Sequence, residues 1–144
     1  DGEADLKGWH VASNGALEDT LFCEFDGKLI MSGGAIFKNA VLAMERSALH
    51  SLEMADLTPD DIDLVVPHQA NVRIVEASCK RLGIPFEKTS MTIHRTGNTS
   101  SASVPLALDH ALQENIISKD YNVLLVGFGA GMTSASAVLK WNGV

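Results

Sequence analysis

Two short stretches carry residue types suited to chemistry: Val65-Val66-Pro67-His68-Gln69-Ala70-Asn71 and His94-Arg95-Thr96-Gly97-Asn98-Thr99-Ser100. Each reads as an apolar strand, a sharp polar turn, and then a helix opened by a capping residue. The first turn delivers His68 and the second Asn98. Ligands of open α/β sheets gather at the carboxyl ends of the strands. An imidazole and a carboxamide brought to one such rim could share a substrate oxygen and stabilise negative charge developing on it. Taken alone, Gly97-Asn98 is ordinary turn chemistry and Asn98 an ordinary cap. Only its parallel with the His68 turn argues for more.

Other candidates are weaker. Gly127-Phe128-Gly129-Ala130-Gly131 has the look of a dinucleotide loop, but that loop needs a helix after the glycines to hold the pyrophosphate. Here a strand-like alternation follows, Ser134 to Trp141. The glycines read instead as a tight turn whose backbone N–H groups approach a ligand closely. Cys79 lies on the apolar face of a helical pattern. Cys23 has no basic or helix-start neighbour to lower its pKa, so neither reads as a nucleophile. No G-x-S-x-G elbow occurs. His10, His50, His94 and His110 read as structural or solvated. Lys38, Arg73, Lys80 and Arg81 fall on helical segments beside the two turns, where a solvated face is the plainer reading.

The chain has 144 residues, enough for one core, and 46% of them are hydrophobic, as in a soluble globular domain. A net charge of −7 and the lack of any basic run argue against nucleic acid as a partner. Two cysteines are too few for a disulfide framework or a zinc site, and no metal is expected. A reducing, cytoplasmic setting follows as the default. No apolar run approaches the roughly 20 residues that span a bilayer, so no membrane is expected. The opening Asp1-Gly2-Glu3-Ala4-Asp5 is no signal peptide and reads like the middle of a longer protein.

The elements must place the two turns. Residues 1–26 read as peripheral loops with one or two short strands, and 27–144 as the core of a single domain. Gly27 to Gly34 reads as a brief strand and a flexible turn. Ile36, Phe37, Ala40, Val41, Met44, Ala48, Leu49 and Leu52 recur at three and four, which predicts an amphipathic helix to about Ala55. Thr58-Pro59-Asp60-Asp61 is a helix start too short to continue. Ile62–Val66 predicts a buried strand, and a helix follows from about Asn71 with Gly83 just past its end. Lys88–Ile93 predicts another strand. Thr99-Ser100 caps a helix with Pro105 early in it, where a kink is expected. Asn122–Val126 and Ser134–Trp141 predict strands joined by the glycine turn. The order gives an α/β domain with a mixed sheet and helices on its faces.

At Val66-Pro67-His68-Gln69-Ala70-Asn71-Val72-Arg73-Ile74, Gly97-Asn98-Thr99-Ser100-Ser101-Ala102-Ser103-Val104-Pro105 and Gly127-Phe128-Gly129-Ala130-Gly131-Met132-Thr133 the sequence resembles β-ketoacyl-(acyl carrier protein) synthase III. This is a condensing enzyme of the thiolase superfamily. The resemblance runs from about Gly27 to the end and is to the family's C-terminal half. It implies a thiolase-like half with a mixed five-stranded sheet, an N-terminal half bearing the nucleophilic Cys elsewhere, and a homodimeric intact enzyme. It also implies an acyltransferase of fatty acid synthesis whose substrates are acyl-coenzyme A and malonyl-acyl carrier protein, with no separate cofactor.

By the same resemblance His68 and Asn98 are catalytic and stabilise the enolate of the malonyl thioester. The Ala130 backbone N–H joins a second oxyanion hole, and Phe128 shapes the pocket near the Cys. Met31, Gly33, Phe37, Ala70 and Asn71 line the pantetheine channel, and Lys38 and Arg73 dock the acidic carrier. Neither Cys23 nor Cys79 matches the nucleophile's motif. Ala130 stands where the family often has Gly, and Ser134-Ala135 where Trp-Gly is common. Two further readings stay open: acyl transfer without elongation by a relative on the same scaffold, and a non-catalytic module that binds a carrier protein or pantetheine.

Overall fold

A computed structural model of the chain describes residues 4–143, and residues 1–3 of the expected peripheral segment lie outside the described residues. Strand β1 (Ala4–Ser13) comes first, followed by a 3₁₀ turn (Gly15–Thr20). A small antiparallel hairpin, β2 (Leu21–Cys23) with β3 (Leu29–Met31), leads into the long helix α1 (Gly33–Met54). Then come β4 (Leu64–Pro67), α2 (Val72–Leu82), the single-turn α3 (Ile93–Thr96), α4 (Ser103–Gln113), β5 (Asn122–Gly129) and β6 (Thr133–Trp141). The main sheet has the order β1-β6-β5-β4, with β4 and β5 parallel and the other pairs antiparallel.

Alternation along the sheet builds two cores. Val65, Leu124, Val126 and Val138 face α1 and α2, meeting Ile36, Ala40, Met44 and Ile74. Leu64, Val66, Val123 and Trp141 face α4, which meets them with Ala107 and Ala111. Residues 64–67 are buried on both sides, as a parallel strand between helix layers should be. Helix ends follow local chemistry. Asn71 caps α2 by accepting from the Arg73 N–H at 2.9 Å, and Gly83 closes it in the left-handed conformation, φ 74°. Pro105 is the third residue of α4, where its missing N–H has no helical acceptor to lose. A 3₁₀ turn (Ser100–Ala102) runs directly into that helix.

Two expectations need correction. Of the expected peripheral segment, residues 4–13 are not peripheral: they form β1, a ten-residue edge strand paired along β6. Its alternation is hidden because Leu6, Trp9 and Val11 are exposed and its buried position is held by Gly8. The strand expected at Lys88–Ile93 shrinks to one parallel bridge, Val65 to Thr89, between a 3₁₀ turn (Phe86–Lys88) and α3. The Ser90 N–H still donates to the Val65 carbonyl, but the Ser90 carbonyl and the Thr92 N–H pair with the Gln69 side chain, so the five-stranded pattern has four full strands and a vestige of the fifth among the described residues. Also among these, no helix is long and apolar enough to cross a membrane.

Gly8 lets β1 lie on α1: a Cβ there would sit 2.1 Å from the Ser51 carbonyl oxygen and 3.0 Å from the Ala55 N. Gly8→Ala should therefore force strand and helix apart and lower stability by roughly 1–3 kcal/mol. Urea unfolding of the variant beside the parent chain measures it.

Candidate active site

The C-terminal end of β4 places the imidazole. The His68 N–H donates to the Val126 carbonyl at 2.8 Å, so the parallel ladder continues one residue past Pro67. The ring then turns away from the strand and meets Ser103 of α4, with Nδ1 2.5 Å from Oγ. Phe128 of β5 stands edge-on to it, ring centroids 5.5 Å apart at 69°. Gly127 makes room: a Cβ there would lie 3.2 Å from that of His68. Burial pushes the His68 pKa below its ordinary 6.5, so the ring is neutral at pH 7.

Asn98 comes from the corner between α3 and α4. Gly97 precedes it at φ 67°, a conformation that favours glycine. The Asn98 Oδ1 accepts from the Ser100 N–H at 2.9 Å, an Asx turn that commits the oxygen and leaves the Nδ2 donors over. His68 and Asn98 line the same cleft, about 1430 Å³ in volume.

The remaining expected residues mostly lie there too. Met31, Gly33 and Phe37 line it from β3 and the start of α1, Ala70 and Asn71 from the entry to α2. Phe128 and Ala130 line it from β5 and the turn beyond. Ala130 has no positive φ, so its methyl is unstrained, and Gly131 takes the left-handed position at φ 68°. Arg73 also lines the cleft, its guanidinium 5.7 Å from the Phe37 ring centre. Lys38 does not line it; it is exposed on α1. The other histidines stand apart: His10 stacks on His50, centroids 4.5 Å apart, and its Nδ1 is 3.2 Å from the Ser47 Oγ. Burial raises the Cys79 thiol to about 11, which leaves it unreactive. Among the described residues no His, Cys, Asp and Glu group could hold a metal.

Sequence reasoning passed over two residues. Gln69 is fully buried, and its side chain makes four hydrogen bonds. The Nε2 donates to the Pro67 and Ser90 carbonyls at 2.8 and 3.2 Å, and the Oε1 accepts from the Thr92 and Ile93 N–H groups at 3.1 and 3.2 Å. It thus ties the β4 end to the segment that leads into the Asn98 corner. Ser103 is 1% exposed and accepts the Gln69 N–H at 3.2 Å besides meeting His68. Its signal was available: Ser103, Ala107 and Ala111 form one buried stripe at a spacing of four, and a serine there needs a partner.

Comparison with known proteins decides the family. Residues 52–141 match the model described as 3-Oxoacyl-[acyl-carrier-protein (ACP)] synthase III C terminal. The chain belongs to this family. A β-ketoacyl-[acyl-carrier-protein] synthase III of Listeria welshimeri is 43% identical over 136 residues, 94% of this chain and 44% of that protein. Among solved structures, 3-oxoacyl-[acyl-carrier-protein] synthase III from Aquifex aeolicus superposes with a TM-score of 0.93 at 36% identity, covering 98% of this chain and 46% of that one. The enzyme of the same name from Pseudomonas aeruginosa gives 0.93 and 36%, with 96% and 45% covered. The chain spans about half the length of the relatives it matches, and corresponds to the C-terminal half of a synthase III. The thiolase-like α/β fold, with its mixed sheet between helices, is shared with these structures.

Two outcomes follow from the site's construction. Gln69→Leu should leave four buried backbone groups unpaired and cost at least about 3 kcal/mol. Loss of hydrogen-exchange protection at the Thr92 and Ile93 amides would show the damage to be local. Because the folded His68 pKa is depressed, the unfolded chain binds the extra proton more readily. The His68 contribution to stability is therefore full above pH 6.5 and lost as pH falls through that value and the lower folded one. Unfolding free energies from about pH 8 to about pH 5 should decline more for the parent than for His68→Gln.

Proposed function

We propose that the chain supplies the decarboxylating half of a condensing enzyme that opens fatty acid synthesis, joining an acyl group from acyl-coenzyme A to malonyl-acyl carrier protein. The observation that carries the reading is the convergence of His68 and Asn98 on one cleft in a member of this family. Loss of CO₂ from a malonyl thioester moves an electron pair toward the thioester carbonyl, whose oxygen becomes an enolate. His68 and Asn98 hydrogen-bond that oxygen, and each such bond strengthens as the charge grows. A neutral imidazole suits the task, since its single N–H can hydrogen-bond the developing enolate while being too weak an acid to protonate it outright.

The enolate carbon then attacks the acyl thioester on a Cys of the N-terminal half. A carbon–carbon bond forms, the tetrahedral oxyanion collapses, and the Cys leaves as thiolate. In this step the Ala130 N–H and the N–H of that Cys hold the oxyanion. Phe128 closes the apolar wall beside it. The pantetheine arm runs past Met31, Gly33, Phe37, Ala70 and Asn71. The carrier protein, itself acidic, meets Arg73 at the cleft and Lys38 on the exposed face of α1; these local cations offset a net charge of −7.

The 144-residue chain by itself should transfer no acyl group from acyl-coenzyme A, because the covalent step has no nucleophile. In the polypeptide that carries both halves, His68→Ala or Asn98→Ala should slow malonyl decarboxylation by about 10²- to 10³-fold, with self-acylation changed far less. Radiolabelled CO₂ release and acyl-enzyme formation read the two steps separately. Normal decarboxylation by both variants overturns the assignment.

A further inference from the structure

We propose that Ser103 is a positioning residue that sets the tautomer of His68, keeping the imidazole proton on Nε2 so that a fixed N–H donor faces the cleft. A hydroxyl has one proton to give and two lone pairs to receive with. The Gln69 N–H occupies one lone pair of the Ser103 Oγ at 3.2 Å. Among the described residues the only other partner of that oxygen is His68 Nδ1, at 2.5 Å. At 1% exposure no solvent competes for the serine proton. Were the proton on Nδ1, two hydrogens would point at Oγ, and the hydroxyl's own would have no acceptor in a buried place, an arrangement that folded proteins avoid. The serine therefore donates to Nδ1, and a neutral imidazole whose Nδ1 lone pair is taken carries its proton on Nε2.

The backbone makes the assignment rigid. Gln69 directly follows His68, so the N–H that orients the hydroxyl is anchored by the same strand end that bears the ring. Ser103 stands on the first turn of α4, packed on β4 through Ala107 and Ala111. On the far side, the edge-on Phe128 ring limits rotation of the imidazole. Only with Nε2–H does His68 act as a donor to an oxygen in the cleft while staying neutral. The inference rests on the proposed enolate role for its consequence in catalysis, but the tautomer is a property of the folded chain alone.

Imidazole ¹⁵N chemical shifts in the intact 144-residue chain test it directly. His68 should show a single Nε2–H tautomer at neutral pH, Ser103→Ala a mixture of both, and Ser103→Thr, which keeps the hydroxyl, the parent's single form. In the enzyme carrying both halves, Ser103→Ala should lower kcat for malonyl decarboxylation by roughly 10- to 100-fold, as loss of a group that orients an imidazole does, with KM nearly unchanged and Ser103→Thr restoring most of it. An Nδ1–H tautomer in the parent chain, or a tautomer unaltered in a folded Ser103→Ala, overturns the proposal. The parent spectrum decides even if Ser103→Ala fails to fold. A single Nε2–H form together with normal decarboxylation by His68→Ala would overturn the enolate reading and leave the tautomer assignment standing.

Discussion

The site depends on one buried carboxamide. The fifth position of the sheet is reduced to a single bridge at Thr89, so no ladder of backbone bonds fixes the segment that leads to Asn98. The Gln69 side chain takes over, with two donors and two accepting bonds at 2.8–3.2 Å, and no exposure to water. Each bond alone contributes modestly, but the four groups it satisfies would each be costly to leave unmade in a dry interior. The staple therefore acts less as a source of stability than as a constraint on geometry. It binds the carbonyl of Pro67, one residue before His68, to amides six and five residues before Asn98.

His68 is held by the neighbours of that staple. Its N–H continues the ladder to Val126, its ring touches Ser103, and Gly127 leaves the space its Cβ needs. Ser103 in turn receives the N–H of Gln69. Three polar side chains, two of them buried, thus form one connected network at the junction of β4, α4 and the α3 segment. The network cross-links the irregular segments that follow β4 and precede α3, and ties them to α4 through Ser103, which is what a donor must have if it is not to reorganise as charge develops. The wall around it is apolar, with Ile36, Phe37 and Phe128 among its side chains, so the few polar groups act in a medium where a hydrogen bond to an anion is strong.

Much of this was legible in the sequence, and the failures have physical causes. The spacing of Ile36 to Leu52 found α1, and Asn71 and Gly83 marked both ends of α2; Gly127–Gly131 marked the link between β5 and β6 too early, since β5 runs on through Gly129 and the turn is Ala130–Met132. The corner bearing His68 followed from strand, turn and cap; that bearing Asn98 follows the one-turn helix α3 in place of the expected strand, and Thr99 makes no cap bond, yet both open on one cleft. What escaped was decided by tertiary packing. β1 shows no alternation because as an edge strand it exposes Leu6, Trp9 and Val11 while Gly8 lies under α1. Lys88–Ile93 has the composition of a strand, yet the Gln69 side chain claims its backbone at Ser90, Thr92 and Ile93 after one bridge. Gln69 itself carries no local signal, since nothing nearby in sequence reveals that its four partners lie around it.

The β5–β6 register bears on the shape of the cleft. Phe128 is paired across the strands with Ser134, and Gly127 with Ala135. Resemblance leads one to expect Trp-Gly at Ser134-Ala135, which would set a large ring opposite Phe128. A serine there, 6% exposed, takes little volume. The Phe128 ring is then steered by its edge contact with His68 rather than by a cross-strand aromatic partner. One ring consequently serves both as wall of the cleft and as a brace on the imidazole. Any side chain that altered its tilt from across the hairpin would be felt at His68, so the size of residue 134 and the orientation of the donor are coupled through Phe128.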